Sequence, residues 1–156
     1  MTISVEIARK RGLRKLIAMQ RAAFRPLYQL YRDEGSPYLR GRKEHAEWLK
    51  RTDRYVYQIC ADGKCCGGIV AFERENGVFY LARLYILPNM QGKGVGAQAI
   101  ALLEAELPQA RKWSVDFPAD QPQNRRCYEK AGYRDTGLTR QINERLTLAI
   151  YEKEVN

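Results

Sequence analysis

Apolar and polar positions alternate in several stretches of the chain, and between them the period lengthens to that of helices. Residues 2–8 set Ile3, Val5 and Ile7 against polar neighbours, the two-residue period of a strand covered on one face. From Gly12 to Tyr31 the apolar positions Leu13, Leu16, Ile17, Phe24, Leu27, Tyr28 and Tyr31 recur at three and four residues, which predicts one face of a helix. Pro26 falls inside that pattern and predicts a kink or break, because its ring removes a backbone donor and crowds the preceding turn. A second, short helix is expected over 42–51 with Trp48 on its inner side. Three strand-like runs follow, 55–61, 65–74 and 78–87. Asp62-Gly63 and Asn76-Gly77 between them are hairpin signals, so consecutive antiparallel pairs are expected. Pro88 closes the third run, and a glycine-rich loop leads into 95–107, whose spacing and Ala, Leu and Glu content predict a helix ended by Pro108. Residues 113–117 alternate as a strand, 123–131 read as a helix capped by Gly132, and 144–155 alternate as a final strand, with further strand content in 133–139. The order is β-α-α-β-β-β-α-β-α-β.

Composition narrows the class. At 156 residues, 45% hydrophobic and 29% charged, the chain has the size and balance of one globular domain over 1–156. Its longest stretch without a charged or strongly polar side chain, Cys65 to Phe72, is far below the ~18 to 20 residues of a membrane span. Glu6, Arg9, Lys10, Arg11, Arg14 and Lys15 interrupt the start, where a secretory signal needs an apolar core, so a cytoplasmic location is expected. The cysteines Cys60, Cys65, Cys66 and Cys127 include no Cys-x-x-Cys pair, and His45 is the single histidine, so no metal site is signalled. Cys60 and Cys65 flank the Asp62-Gly63 turn and read as small buried apolar residues. The net charge of +9 is concentrated early: residues 1–54 carry 14 Lys and Arg against 6 Asp and Glu, or +8. That excess suits nucleic acid, an anionic membrane or an acidic small partner, but equally the solvated faces of ordinary helices, and the last is favoured.

The segment from Leu84 to Gly96 is strand, loop and helix start, with Gly92, Gly94 and Gly96 at the junction. Amides converging there at the positive end of a helix dipole suit a phosphate or pyrophosphate. Without Gly-Lys-Ser/Thr it is not a Walker loop. Gly92, Gly94 and Ala97 do satisfy the Gly-x-Gly-x-x-Gly/Ala dinucleotide spacing, and Asp116 stands about where a ribose-binding acid belongs, ~20 residues on. Against that reading, Pro88, Asn89, Met90 and Gln91 separate strand from first glycine, and too few βαβ units surround it for a doubly wound sheet.

Gln91-Gly92-Lys93-Gly94-Val95-Gly96 resembles the Gln/Arg-x-x-Gly-x-Gly/Ala signature of the GNAT superfamily of N-acetyltransferases, with a strand ending in proline before it. Downstream, Cys127-Tyr128-Glu129-Lys130-Ala131-Gly132-Tyr133 resembles that family's later helix, which ends in Tyr-Glu-Lys-x-Gly-Phe/Tyr. The family often carries an asparagine two turns before that tyrosine; here the position is Gln121, and Asn124 lies one turn before it.

The resemblance implies an α/β (α+β) fold, a mixed central sheet with splayed strands and flanking helices, transferring acetyl from acetyl-CoA to an amine by direct attack in a ternary complex, with no metal. It implies that the backbone of Tyr85, Ile86 and Leu87 pairs with the pantetheine arm. The pyrophosphate then rests on Gln91, Gly92, Lys93, Gly94, Val95 and Gly96, where a Cβ at Gly94 or Gly96 blocks close approach, and Asn124 is the remaining candidate contact. Tyr128 resembles the tyrosine that protonates the departing thiolate. For the group that takes the amine's proton, Asp116 is the first candidate, because it shares a strand face with Ser114 opposite Trp113, Val115 and Phe117. Glu44, Glu47, Glu73 and His45 are others, as is an ordered water chain, while a lone histidine between two glutamates more often reads as solvated. The first two helices border the acceptor in the resembled fold, so Arg40, Arg42, Lys43, Lys50 and Arg51 favour a small-molecule or peptide amine that also carries an anionic group. Two other classes stay open: an acyl-CoA-binding sensor without turnover, and a basic nucleic-acid-binding module drawing on the sixteen aromatics. The oligomeric state is left open, a homodimer included.

Overall fold

Asp62 and Gly63 both take left-handed backbone angles (φ 50° and 83°), and this two-residue turn folds β2 (Arg54–Ala61) onto β3 (Lys64–Glu73). Primed turns of this kind match the twist of the strands they join. Asn76 and Gly77 (φ 57° and 75°) likewise turn β3 into β4 (Val78–Ile86). In the computed structural model, which describes residues 1–155, these strands form the middle of a seven-stranded sheet. β1 (Ile3–Ile7) pairs with β2 at one edge. On the other side β4 meets β5 (Lys112–Pro118) in parallel, and β7 (Thr147–Glu154) and β6 (Arg134–Gln141) complete the order β1-β2-β3-β4-β5-β7-β6.

Helices cover both faces. α1 (Leu13–Tyr31) and α2 (Arg42–Leu49) lie on one, where Leu13, Leu16 and Met19 pack with Val56, Val70 and Tyr85. α3 (Val95–Glu106) and α4 (Pro122–Lys130) lie on the other, where Ala99, Ile100 and Leu103 pack with Phe79, Leu81, Trp113 and Val115. No described helix is long and apolar enough to cross a membrane.

The feature that makes a site is the failure of β4 and β5 to stay together. They pair only at Val78, Phe79 and Tyr80 against Lys112, Trp113 and Ser114. Just beyond, Val70 of β3 faces Arg83 while Ala71 faces Leu81, which leaves Ala82 as a bulge. A bulge bends the strand that carries it. β4 therefore bends where it parts from β5, and a gap opens between them.

Two expectations change. α1 runs helical through Pro26 to Tyr31 without a break. Pro26 and Ala22, whose carbonyl loses its partner, are both exposed, so water replaces the missing bond. His45 is not solvated but fully buried (0% exposed), with Nε2 3.2 Å from Tyr85 Oη and its ring 4.9 Å from that of Trp48. Burial, and secondarily the Arg83 guanidinium, hold its pKa down to about 4, below the ordinary 6.5. The unfolded chain therefore binds the extra proton first. Stability is expected to fall as pH drops from about 6.5 to 4, by up to about 3 kcal/mol, and His45→Gln should flatten that slope. Urea melts at pH 7.5 and 5 check it; a parent slope equal to that of His45→Gln refutes the assignment. Cys60, buried as expected, faces Cys65, only half-buried, across the hairpin; both thiols are free, and burial pushes Cys60 up to about 11.

Candidate active site

A cleft of about 1390 Å³ runs through the gap, from the end of α1 on one face of the sheet to α4 on the other. On the α3/α4 face, Gly92 and Gly94 hold left-handed angles (φ 76° and 80°), and Gly94 caps the twelve-residue α3. The first amides of any helix lack intrahelical partners, so those of α3 remain available at the positive end of its dipole. Gly92, Gly94, Val95 and Gly96 line the cleft, and so does Asn124. Lys130 and Arg126, one turn apart on α4, line it too, and the Lys130 ammonium lies 3.6 Å from where a Gly94 Cβ would stand. Their spacing of four residues on one helix was the available sequence signal.

Several expected contacts are engaged elsewhere. Lys93 is exposed and lies outside the cleft wall. Gln91 lines the cleft but donates from Nε2 to the Ile86 carbonyl (2.8 Å), which ties the loop to the end of β4. Leu87 lies outside the wall as well: its N–H donates to the Cys66 carbonyl (2.9 Å). The alternation of a strand then turns Tyr85 toward β3 as well, and leaves Leu84 and Ile86 facing the gap. The Tyr85 side chain points under α1 and α2, where it meets His45. Gly96 is needed for packing as well, since a Cβ there would stand 2.9 Å from Cys127 Sγ. Gly96→Ala should therefore lower the melting temperature in the parent. In a Cys127→Ala background it should raise it, because the clash is gone and alanine's helix propensity, worth about 1 kcal/mol, remains. Melting curves of the four proteins decide this, and equal effects in both backgrounds refute it.

Tyr128 is held by the way its helix ends. Gly132 is left-handed (φ 98°), the Tyr133 N–H donates to the Tyr128 carbonyl (2.9 Å) and the Gly132 N–H to that of Glu129 (3.0 Å). These are the two bonds of a Schellman cap, and the Tyr128 and Tyr133 rings supply its apolar contact at 6.0 Å. The Tyr-Glu-Lys-Ala-Gly-Tyr motif is thus a helix terminator that fixes a ring. Tyr128 stacks on Phe117 (4.9 Å), is 7% exposed, and reaches the cleft wall. Burial pushes its phenol well above the ordinary value of about 10, so it stays protonated.

On the opposite face stands Asp116. Of the groups weighed as bases from sequence, it alone lines the cleft; Glu44 pairs with Arg83, Glu47 with Lys50 (3.7 Å), and Glu73 accepts from Tyr55 Oη (2.7 Å). Asp116 Oδ1 accepts from Tyr80 Oη (2.9 Å) and Oδ2 from Arg140 Nη2 (3.2 Å). Burial, then the Asp116 charge, push the Tyr80 phenol up, so it remains a donor. Neither Tyr80 nor Arg140 was singled out from sequence, because they reach Asp116 from distant strands. Gln121 is engaged away from the glycine loop: its Nε2 donates to Tyr31 Oη (2.9 Å), which donates to Asp120 and so ties the end of α1 to the start of α4. Arg40, Arg42, Lys43, Lys50 and Arg51 all lie outside the cleft wall, so these five cations do not line the cleft.

The comparisons agree with this geometry. The acetyltransferase (GNAT) family model matches residues 18–133, well over half of the chain. Among solved structures, one described as a putative phosphinothricin N-acetyltransferase is 19% identical, covers 99% of each chain and has a TM-score of 0.79. The PaiA N-acetyltransferase from Thermoplasma acidophilum in complex with coenzyme A is 19% identical, covering 99% of this chain and all of the other (TM-score 0.77). AAC(6')-Ib in complex with ribostamycin and coenzyme A is 16% identical over 99% of this chain and 94% of the other, also at 0.77. With a sheet that splays beside a glycine-capped helix and a family match across both motifs, this chain belongs to the GNAT family of acetyltransferases.

Proposed function

We propose that residues 1–156 act as one acetyl-CoA-dependent N-acetyltransferase, with a primary amine of a small molecule or peptide as acceptor and direct attack while both substrates are bound. The observation that carries this reading is that Tyr128 and Asp116 reach one gap from opposite faces of the sheet. The fit to acetyl-CoA rests on three features: the Leu84 and Ile86 backbone turned toward the gap, the Gly92–Gly96 cradle at the start of α3, and Lys130 and Arg126 beside it. Relatives bound to coenzyme A support the same choice. When bound, acetyl-CoA supplies an activated acetyl thioester.

The residues then have distinct tasks. Strand-like pairing with β4 holds the thioester at the gap, where positioning alone gives a large part of the acceleration. Asp116 orients the acceptor's ammonium and passes one proton to solvent through the open mouth. Water is the final sink, because the proton has to leave the cleft before the next acceptor can bind. The freed amine attacks the carbonyl carbon, a C–N bond forms and the C–S bond breaks. Tyr128 donates its proton to the departing sulfur and is restored by the second proton that nitrogen sheds, so one proton is released per turnover.

The test is thiol release from acetyl-CoA over a panel of amines, with the acetylated product weighed by mass spectrometry. Thiol and acetyl-amine in equal amounts support the reading. Tight acetyl-CoA binding with no amine turned over favours the sensor, and steeply salt-dependent retention of RNA without CoA binding favours the nucleic-acid module.

A further inference from the structure

The acceptor side of the cleft carries one ion pair that substrate can open. Asp116 is 21% exposed and Arg140, on β6, 59% exposed; their contact is a single 3.2 Å approach. Pairs this exposed contribute roughly 0 to 1 kcal/mol, so separating them costs little. Tyr80 Oη stays on the other carboxylate oxygen and keeps Asp116 in place when Arg140 moves. Arg140 faces Leu148 across the β6–β7 pair, and Asp116 faces Ile150 across β5–β7, so guanidinium and carboxylate stand on one face with an apolar strip between the strands. Leu27, Tyr28 and Tyr31 of α1 line the cleft opposite Ile142, Leu146 and Leu148.

The charges lining this wall are mixed: Arg32, Arg83 and Arg140 beside Asp33, Glu34 and Asp116. Arg83 is already paired with Glu44. Asp33 accepts the Gly35 N–H of its own turn. With Arg83 so neutralised, Arg32 and Arg140 stand against three carboxylates, so a polyanion gains nothing here, whereas a molecule with one charge of each sign can insert into the Asp116–Arg140 pair and satisfy both ends.

We propose that the acceptor is a zwitterion, an amine that carries a carboxylate close to its nitrogen and an apolar body, with its ammonium on Asp116, its carboxylate on Arg140 and its body between α1 and β7. This rests on the N-acetyltransferase reading and names the substrate class for it. Arg140 is then a positioning residue that reads the acceptor's anion. It arrives at an anionic amine by a different route from the basic N-terminal half, none of whose five named cations lines the cleft.

The probes are the protein amino acids, their decarboxylated amines, spermidine and a short peptide with a free N-terminus, each with acetyl-CoA and the full chain. At least one apolar amino acid is expected to exceed its decarboxylated amine about tenfold in kcat/KM, the worth of one charge-assisted contact. Arg140→Gln should erase that difference through a rise in KM for the acid, while the amine gains from a freed Asp116, and Arg140→Lys should restore part of the preference. A merely structural Arg140 would move both compounds together. Acetylation of spermidine or the peptide with none of the amino acids overturns the zwitterion while leaving the enzyme reading intact, as does a preference that survives Arg140→Gln. No thiol release with any probe, despite acetyl-CoA binding, overturns both.

Discussion

Tyr128→Phe is expected to lower kcat by roughly 10² to 10⁴, the usual contribution of a positioned acid, with acetyl-CoA affinity and melting temperature unchanged. The substitution removes one hydroxyl and keeps the ring. That ring stays on Phe117 and Tyr133, and both bonds of the Schellman cap are made by backbone atoms. The hydroxyl is engaged by no described side chain, so little stability depends on it. A limb at high pH would be the ordinary signature of such an acid. Burial instead pushes this phenol well above about 10, so parent and mutant should share the shape of their profiles below that pH and differ only in height. If Tyr128 were structural, the mutant would melt earlier at a near-normal rate. Turnover within about twofold of the parent ends the proposal.

Much of this site is legible in the chain because it is local. The Gly92 to Gly96 cradle, the Gly132 terminator and the two glycine hairpins each lie within a few residues, where backbone geometry demands a particular residue type. What could not be read depends on distance. The bulge at Ala82 comes from the pairing of β4 with β3, and it decides which backbone groups face the gap; hence Ile86 stays, Leu84 joins it, and Tyr85 and Leu87 turn toward β3. His45 looks solvated between Glu44 and Glu47 until α2 packs over β4 and Tyr85 rises to meet it. Asp116 was readable from strand alternation, but not its partners: Tyr80 is 36 residues away and Arg140 is 24. The anion cradle was assigned six residues from a motif. Packing distinguishes them: Gly96 also meets Cys127, Gln91 also bonds Ile86, and Lys93 lies outside the cleft wall.

Gly94→Glu should weaken CoA binding by about a hundredfold or more, whereas Gly94→Asn should stay within about tenfold of the parent. At φ 80° Gly94 sits where a side chain costs about 1 to 2 kcal/mol, a cost asparagine largely escapes. Space is not the obstacle, since the nearest atoms to a new Cβ are Lys130 Nζ at 3.6 Å and Gln98 Nε2 at 3.9 Å. Charge is. A glutamate there reaches Lys130, takes that cation from the phosphates, and sets a carboxylate at the positive end of α3 where a phosphate should land. Losing one ion contact and gaining one repulsion of this kind amounts to roughly 3 kcal/mol, hence about a hundredfold. Thermal shifts separate the effects: strain lowers the melting temperature of the free protein in both variants, while lost binding removes the further rise that CoA gives the parent. NAD should give no rise in any of the three proteins. Stabilisation by NAD alone would restore the dinucleotide reading of Gly92, Gly94 and Ala97, and a Gly94→Glu protein that binds CoA like the parent would put the phosphates elsewhere in the cleft.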